Sequence, residues 1–540
     1  MKRIPKLNLW LAIIEFAALA SLPFLAEGCG LISLVAFVPL LLLDKMLCEN
    51  KVRGAWLYLY AAFLLFNVGT TFWIWFVSPA GAVAALLLNA LQMTIIFLLF
   101  GVFRKIISRR WPDSPRVLPY LFLVVLWLAW EHIYFEIELS WPWLVLGNAL
   151  ATSTYAAQWY DVTGTLGGSL WILLCNISVF LAITAREKKA SRRAAALSLA
   201  LVVIPLCLSV IRYASYKETD SPCEVVVVQP NIDPFAKYGI TPQVTLDEKL
   251  IALAEGQMTD NTEYVITPET FTYAVDIDSP AGNPSMERYA EFLDRHPSAE
   301  LILGALTYRT YDSRLRPSRS ARLQGGVWLD SFNTAMITDG REVSSYYFKS
   351  KLVPGVEIIP YGNVLTFLGP LVEKFGGSPN TYGTQDEMGV LHGKKQGPSV
   401  GAFICYESIY GDFSRMAAKK GAEILAVMTN DGWWGDTPGY HQHFRFAKLR
   451  AIENRRDLIH AANTGTSGII NQRGDVVLST PWWEETSFRS EVNRNTAITP
   501  FVRCGDIIGT VAAWAALLSL LCMSLHFCVS GKRRASGKSA

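Results

Sequence analysis

The stretch with the clearest chemical potential ends in a single cysteine. Residues 401–404 are apolar, and Cys405, Tyr406 and Glu407 follow them at once. Such a run predicts a buried strand, so the thiol would lie where the strand ends. A lone cysteine there is most often a core residue, because free cysteine is among the most buried residue types. Cys405 therefore needs chemical partners elsewhere in the chain before it indicates catalysis.

Two further stretches supply such partners. Glu269 follows the apolar residues 264–266, and Lys349 stands just before a Leu-Val-Pro motif at 352–354. A carboxylate can take the proton of a thiol nucleophile, and an ammonium can stabilise the oxyanion formed when the thiol attacks a carbonyl. Together these residues predict a thiol-nucleophile enzyme, with Glu269 as base, Lys349 as electrostatic stabiliser and Cys405 as nucleophile.

The order Glu, Lys, Cys resembles the nitrilase superfamily of carbon–nitrogen hydrolases, as does the Ile-Cys-Tyr-Glu motif at 404–407. Three more motifs are similar to its membrane branch, the apolipoprotein N-acyltransferases. They are Asn-Asp-Gly-Trp-Trp-Gly-Asp at 430–436, His-Gln-His at 441–443 and Asn-Thr-Gly at 463–465. The resemblance covers nearly the whole chain. It implies an α/β nitrilase-like domain built as an α-β-β-α sandwich, attached to a membrane domain.

The resemblance also implies a set of site residues. The catalytic residues would be Glu269, Lys349 and Cys405; the supporting residues Glu357, Tyr406 and Glu407; and the substrate-binding residues Tyr238, Trp433 and Trp434. Two positions depart from the family pattern. The glycine before Glu357 stands one residue early, at Gly355, and Tyr238 stands where the family usually has tryptophan.

The implied reaction is a two-step acyl transfer without a cofactor. Cys405 would take an acyl chain from a phospholipid as a thioester, and the N-terminal amine of a diacylglyceryl-cysteine in an apolipoprotein would then accept it. Two alternatives stay open from the sequence. A membrane-tethered amidase or nitrilase would use the same triad with water as acceptor, and a transporter or receptor would use only the membrane spans. Nothing in the chain predicts a nucleic-acid partner.

Composition indicates a polytopic membrane protein. Of the 540 residues, 51% are hydrophobic and 18% charged, against about a quarter charged in soluble domains. Each of eight apolar runs is about long enough to cross a ~30 Å hydrocarbon core as a helix. They lie near residues 9–26, 30–47, 55–77, 81–103, 117–136, 167–185, 194–213 and 507–530. The nine cysteines show no CxxC pair and no Cys/His metal spacing, which argues against a metal site.

The distribution of Lys and Arg between the loops predicts how the chain is oriented in the membrane. The chain ends and the loops after the second, fourth and sixth runs carry twenty basic residues, whereas loops 27–30, 78–80 and 137–166 carry none. The positive-inside rule then predicts that both termini are cytoplasmic. The resemblance implies that the membrane is a bacterial inner membrane and that the catalytic domain is periplasmic. The first apolar run, which precedes Cys29, is expected to be a transmembrane helix and not a cleaved signal, because further spans follow at once.

These observations predict the domain organisation. Residues 1–215 form a membrane domain with seven spans, 221–506 the extracytoplasmic catalytic domain, 507–530 the eighth span and 531–540 a basic cytoplasmic tail. Within 221–506, β-branched runs such as 224–231 and 424–429 alternate with helical patterns such as 245–258. Strands that alternate with helices predict an α/β domain.

Two smaller expectations concern polar residues and cysteines. Polar residues inside the runs, among them Glu15, Asn67, Asn89 and Asn176, should face other helices or a cavity, because they are costly in lipid. Cys223 and Cys504 lie at the two ends of the predicted catalytic domain at 221–506, which we call the outer domain. They either form a disulfide, which an oxidising compartment permits, or stay as two unpaired thiols.

Overall fold

The computed structural model describes residues 6–237, 240–358, 360–361 and 382–536. Seven helices in this part of the chain are long and apolar enough to cross a membrane. An eighth apolar helix, Leu118–Tyr134, has 17 residues and lies at the lower limit for a span. The prediction of a polytopic helical domain with about eight spans is confirmed. Tyr238 lies outside the described residues.

The helices of the membrane domain precede the first strand. They are α1 (Lys6–Leu25), α2 (Ser33–Ala36), α3 (Val38–Glu49), α4 (Ala55–Thr71), α5 (Pro79–Arg110), α6 (Leu118–Tyr134), α7 (Tyr160–Thr163), α8 (Thr165–Thr184) and α9 (Lys188–Ser215). The later helices are α10 (Pro234–Lys237), α11 (Gln243–Glu255), α12 (Pro284–Asp294), α13 (Gly411–Lys419), α14 (Pro438–Asn454), α15 (Pro500–Cys504) and α16 (Ile507–Ser536). The last of these returns to the membrane domain and packs against α6.

Buried amides join the membrane helices. Asn89 donates a 2.7 Å hydrogen bond from its amide to the side-chain oxygen of Asn67. The second predicted span breaks at Phe37, between α2 and α3, and the side-chain oxygen of Asn176 accepts the Phe37 N–H at 2.7 Å. These contacts meet the expectation that polar groups face other helices. Glu15 does not, because its side chain is exposed on α1, and nothing in the described structure accounts for that position.

Within the described residues, thirteen strands form the two sheets of the outer domain. The first sheet has eight strands in the order β13-β1-β2-β4-β6-β5, with β3 paired to β4 and β7 to β6; the second is β12-β11-β10-β9-β8. The strands are β1 (Pro222–Gln229), β2 (Thr262–Ile266), β3 (Thr272–Asp276), β4 (Glu300–Tyr311), β5 (Arg322–Gln324), β6 (Val327–Thr338), β7 (Val343–Phe348), β8 (Val400–Ile404), β9 (Ile424–Thr429), β10 (Leu458–Ala462), β11 (Gly468–Ile470), β12 (Val476–Ser479) and β13 (Thr486–Asn493).

Alternate side chains of β1 point into two different hydrophobic cores, one on each face of the first sheet. Val225 and Val227 point into the core between the two sheets, and Val226 and Val228 point into the core beneath α11 and α12. All four valines are fully buried, which explains why this strand is β-branched on both faces. Each buried valine contributes about 1.5–3 kcal/mol of hydrophobic stabilisation. The α/β sandwich that the resemblance implied is confirmed.

Cys223 and Cys504 are free thiols. The Cys223 side chain is buried in the core between the sheets, whereas Cys504 is exposed at the end of α15. A bridge would require the two side chains to meet, so the disulfide hypothesis is wrong and the alternative of two unpaired thiols holds.

Buried charges fasten the outer domain to the membrane domain. Arg455 follows α14, and its Nε lies 2.9 Å from a carboxylate oxygen of Asp161 in α7. Arg450 pairs with Glu453 at 2.8 Å within α14, and Glu453 accepts a 2.6 Å hydrogen bond from the Thr165 hydroxyl at the start of α8. The contacts of Arg455 with Asp161 and of Glu453 with Thr165 tie α14 to the helices of the membrane domain.

We expect Asp161→Ala to destabilise the protein by roughly 3–5 kcal/mol, because it leaves the Arg455 guanidinium buried without its carboxylate. Thermal unfolding of the purified protein in detergent would measure the change. Asp294→Ala is the matched control, because it removes an aspartate whose partner Arg341 is exposed, and it should change the unfolding temperature little. Equal effects of the two substitutions would show that the buried pair does not hold the domains together.

Candidate active site

Cys405 occupies a strained turn. It follows β8 directly and begins a 3-10 turn, Cys405–Ile409, with a backbone φ of +54°. Non-glycine residues rarely adopt this left-handed conformation, and where they do it is often at a functional site. The turn leaves the thiol half-buried in a cavity that also contains Glu269 and Lys349. The structure therefore brings together the three residues that the sequence selected.

The Lys349 ammonium lies between two carboxylates. Its Nζ is 3.2 Å from Glu269 Oε1 and 2.9 Å from Glu357 Oε1. The amide of Asn333, on β6, donates to the same Glu269 oxygen at 2.7 Å. Burial alone would lower the pKa of Lys349, but the two carboxylates raise that pKa well above its usual value. Lys349 is therefore a fixed positive charge at neutral pH.

The environment keeps the resting cysteine protonated. Burial and the neighbouring Glu269 carboxylate raise the pKa of the Cys405 thiol well above its usual value, against the opposing effect of Lys349. A neutral thiol is a weak nucleophile, so its proton must leave as the sulfur attacks. Glu269 is the carboxylate that faces both the thiol and the ammonium, which suits it to accept that proton.

Glu407 joins the two loops that carry Lys349 and Cys405. One of its carboxylate oxygens accepts hydrogen bonds from the backbone N–H groups of Ser350 and Lys351 at 2.7 and 3.1 Å. The other accepts the N–H of Ile404 at 2.9 Å. The Tyr347 hydroxyl donates a further bond at 2.6 Å. Glu407 is fully buried, and its three bonds to backbone N–H groups hold the chain beside Lys349 and Cys405.

Glu357 reaches Lys349 despite the displaced glycine. Its second carboxylate oxygen accepts the backbone N–H of Val353 at 2.8 Å, which closes the turn that contains Gly355. Gly355 has a φ of +80°, a conformation that glycine adopts without strain. The position of the glycine therefore does not prevent the contact between Glu357 and Lys349.

Tryptophans of the membrane domain form the opposite wall of the cavity, which has a volume of about 150 Å³. Trp73 follows α4, and Trp143 lies in the loop after α6. Both indole N–H groups donate to the side-chain oxygen of Gln442 on α14, at 3.2 and 2.6 Å. Gly439, one turn earlier on α14, has no side chain to collide with Trp73, which a Cβ there would approach to 2.7 Å.

The other predicted residues lie around this cavity. Trp433 and Trp434 both line it, and Trp434 packs against Trp73 with ring centroids 4.8 Å apart. The Tyr406 hydroxyl donates to the carbonyl of Ser140 at 2.8 Å, and its ring stacks on Trp141. Tyr406 therefore connects the strand end at Cys405 to the membrane-domain loop.

Four residues at the site were not assigned a role from the sequence: Trp73, Trp143, Gln442 and Asn333. Gln442 lies within the His-Gln-His motif that contributed to the resemblance. Trp73 and Trp143 are tryptophans near the ends of apolar runs, and the enrichment of tryptophan at membrane interfaces is the one signal that could have drawn attention to them. Asn333 lies within a strand and has no sequence signal of its own.

Asp431, His443 and His460 are the described residues whose grouping resembles a metal site. Their hydrogen bonds leave few free ligand atoms. His443 contacts Asp431 through Nδ1 and Ser408 through Nε2, and His460 Nδ1 lies 2.9 Å from the carbonyl of Thr466. One Asp431 oxygen and His460 Nε2 remain, fewer than the three or four protein ligands that bind zinc. The cluster fits a hydrogen-bond network better than a metal centre.

Comparison with known proteins agrees with this geometry. The carbon–nitrogen hydrolase family model matches residues 224–499, just over half of the chain. A model of the apolipoprotein N-acyltransferase N-terminal domain matches residues 16–178. The two matches fall on the outer domain and on the membrane domain, respectively.

Relatives named apolipoprotein N-acyltransferase match nearly the full chain. The protein of Chlorobaculum tepidum is 27% identical over 88% of this chain and 88% of its own length. That of Geobacter metallireducens is 27% identical over 95% and 94%, and that of Gloeobacter violaceus 29% identical over 92% and 90%. The chain belongs to the carbon–nitrogen hydrolase family, in the branch whose members carry the apolipoprotein N-acyltransferase membrane domain.

Proposed function

We propose that the protein transfers an acyl chain from a phospholipid to the N-terminal amine of a diacylglyceryl-cysteine in an apolipoprotein. The observation that carries this proposal is the composition of one cavity. Cys405, Glu269 and Lys349 line it together with apolar residues of the membrane domain, among them Trp73 and Val77. A wall of this kind suits an acyl chain that enters from the bilayer. The amidase alternative, with water as acceptor, is not favoured, because the near-full-length relatives are named as acyltransferases.

The first step forms a thioester. The Cys405 sulfur attacks the ester carbonyl carbon of the phospholipid while its proton passes to the Glu269 carboxylate. The resulting oxyanion is stabilised by the Lys349 ammonium, which its two carboxylates already hold in place. When the intermediate collapses, the carbon–oxygen bond breaks and the lysophospholipid leaves with the proton from Glu269. The acyl chain remains on Cys405.

The second step forms the amide. The neutral N-terminal amine of the diacylglyceryl-cysteine attacks the thioester carbonyl, and Lys349 again faces the oxyanion. Glu269 accepts a proton from the amine as the carbon–nitrogen bond forms. The carbon–sulfur bond then breaks, and the Cys405 thiolate recovers its proton from Glu269. In both steps the nucleophile, the proton acceptor and the charge that stabilises the oxyanion are side chains of this protein.

The supporting residues act by position. Glu357 holds Lys349 at 2.9 Å, and Glu407 holds the backbone on both sides of the site. Trp433 and Trp434 would contact the lipid portions of the substrates, because they line the cavity. A substrate contact of Tyr238 stays a prediction.

The proposed setting is the bacterial inner membrane, with both termini cytoplasmic and the outer domain periplasmic. The distribution of basic residues between alternate loops supports this orientation. It would place Cys405 on the side of the membrane from which an apolipoprotein N-terminus can reach the cavity.

We expect Cys405→Ala and Cys405→Ser to reduce acyl transfer by at least about a thousandfold, because a serine alkoxide is far harder to form here than a thiolate. Mass spectrometry of the parent protein mixed with phospholipid should find an acyl thioester on Cys405. Cys504→Ser is the matched control, since Cys504 is an exposed thiol. Near-normal transfer by purified Cys405→Ala protein would remove Cys405 from the mechanism.

Lys349→Met should slow thioester formation by about 10²–10³-fold, because it removes the charge that faces the oxyanion. Glu269→Gln should also block this step, because an amide cannot accept the thiol proton.

For both variants, the rate of thioester formation is measured by mass spectrometry after mixing with phospholipid. Lys351→Met serves as the control, because Lys351 is half-exposed and two residues away. A variant that accumulates thioester as fast as the parent would refute the role proposed for the replaced residue.

For the orientation, a reporter that is active only outside the cytoplasm should be active when fused after Asp220 and inactive when fused after Arg193. The reason is the alternation of basic loops. The reverse pattern would place the whole outer domain, with Cys405, in the cytoplasm.

A further inference from the structure

The His-Gln-His motif at 441–443 contains a buried histidine that the proposed reaction does not use. His443 lies on α14 and is fully buried directly behind the Cys405 turn. Its Nδ1 is 3.0 Å from Asp431 Oδ1. Its Nε2 is 2.8 Å from the Ser408 hydroxyl and 3.1 Å from the backbone carbonyl of Cys405. The ring therefore connects a buried carboxylate to the peptide group of the predicted nucleophile.

The contacts at the two ring nitrogens are those expected of a ring that carries a hydrogen on each. Asp431 Oδ1 already accepts a 2.6 Å bond from the Thr429 hydroxyl, and a carboxylate only accepts, so Nδ1 must carry a hydrogen. The Cys405 carbonyl also only accepts, so the contact at Nε2 requires a second hydrogen. Ser408 is consistent with this, because its hydroxyl donates to the same carbonyl at 2.9 Å and can accept from Nε2. A neutral imidazole has only one N–H and cannot make both sets of bonds.

We propose that His443 is held as an imidazolium by Asp431 and acts as a positioning residue, which fixes the Cys405 backbone through its carbonyl and favours the thiolate electrostatically. This inference rests on the proposed role of Cys405 as nucleophile. Two contacts, from His443 and Ser408, hold the carbonyl of Cys405, the residue whose φ is +54°.

The surrounding charges are consistent with a single cation behind the cysteine. Asp431 and His460 are the titratable groups closest to His443. Burial, Glu269 and Asp431 raise the pKa of the Cys405 thiol, and Lys349 lowers it. Burial lowers the pKa of His460 to about 4, so that ring is neutral at physiological pH. Burial alone would raise the pKa of Asp431, yet that pKa is lowered, because His443 beside it favours the carboxylate. The Asp431 carboxylate is thus the counter-ion that the proposed imidazolium requires.

The test measures how readily Cys405 reacts with iodoacetamide as a function of pH, in the full-length protein in detergent and without lipid substrate. Mass spectrometry of the peptide that contains Cys405 gives the alkylation rate. In His443→Gln the midpoint of the pH profile should rise, and the rate at pH 7 should fall by about tenfold, the equivalent of one pKa unit. His441→Gln is the matched control, because His441 is exposed two residues away on the same helix.

His443→Asn provides a second variant, which keeps a side-chain N–H donor but cannot carry a charge, and it should raise the midpoint in the same direction. Thermal unfolding checks that each variant is folded. An unchanged midpoint in a folded variant, with or without a uniform loss of rate at every pH, would overturn the proposal, because a purely structural role predicts that result. Alkylation needs no acyl donor, so failure of this inference and failure of the acyl-transfer proposal can be distinguished.

Discussion

The site depends on the cost of burying one ammonium group. Lys349 is almost fully buried, and only the paired carboxylates of Glu269 and Glu357 make that position tolerable. Each carboxylate comes from a different segment, so the end of β2, the end of β7 and the turn at Gly355 must all converge on this charge. The arrangement that stabilises the lysine also holds it where an oxyanion would form. The same two carboxylates are therefore needed both for stability and for the proposed chemistry of Lys349.

Helix α14 connects this site to the membrane domain through its side-chain contacts. Gln442 holds the two tryptophans of the cavity wall, and the neighbouring His443 holds the carbonyl of Cys405. Further along the same helix, Arg450 and Glu453 reach the start of α8, and Arg455 just beyond it pairs with Asp161. One helix thus contacts the nucleophile, the apolar wall and the membrane helices. This makes the cavity a joint product of both domains, which suits substrates that are partly embedded in lipid.

Glu131 shows how the membrane domain shapes its side of the cavity. This glutamate is fully buried on α6, where it accepts hydrogen bonds from the Trp127 indole at 3.0 Å and the backbone N–H of Leu146 at 2.8 Å. Leu146 follows the loop that contains Trp141 and Trp143. A polar residue that is costly in lipid therefore anchors the tryptophan loop against its own helix.

The sequence by itself determined the fold class, the eight apolar segments and the order of Glu269, Lys349 and Cys405, because hydrophobic periodicity and local motifs are properties of neighbouring residues. Many of the predicted strands, such as 424–429, also agree with the structure. Only the tertiary structure decided that Trp73 and Trp143 line the same cavity as the thiol, that Gln442 holds these tryptophans and that His443 contacts the Cys405 carbonyl. It also decided that Cys223 and Cys504 stay apart. These contacts join residues up to several hundred positions apart, and they follow from how two domains pack, which no local pattern records.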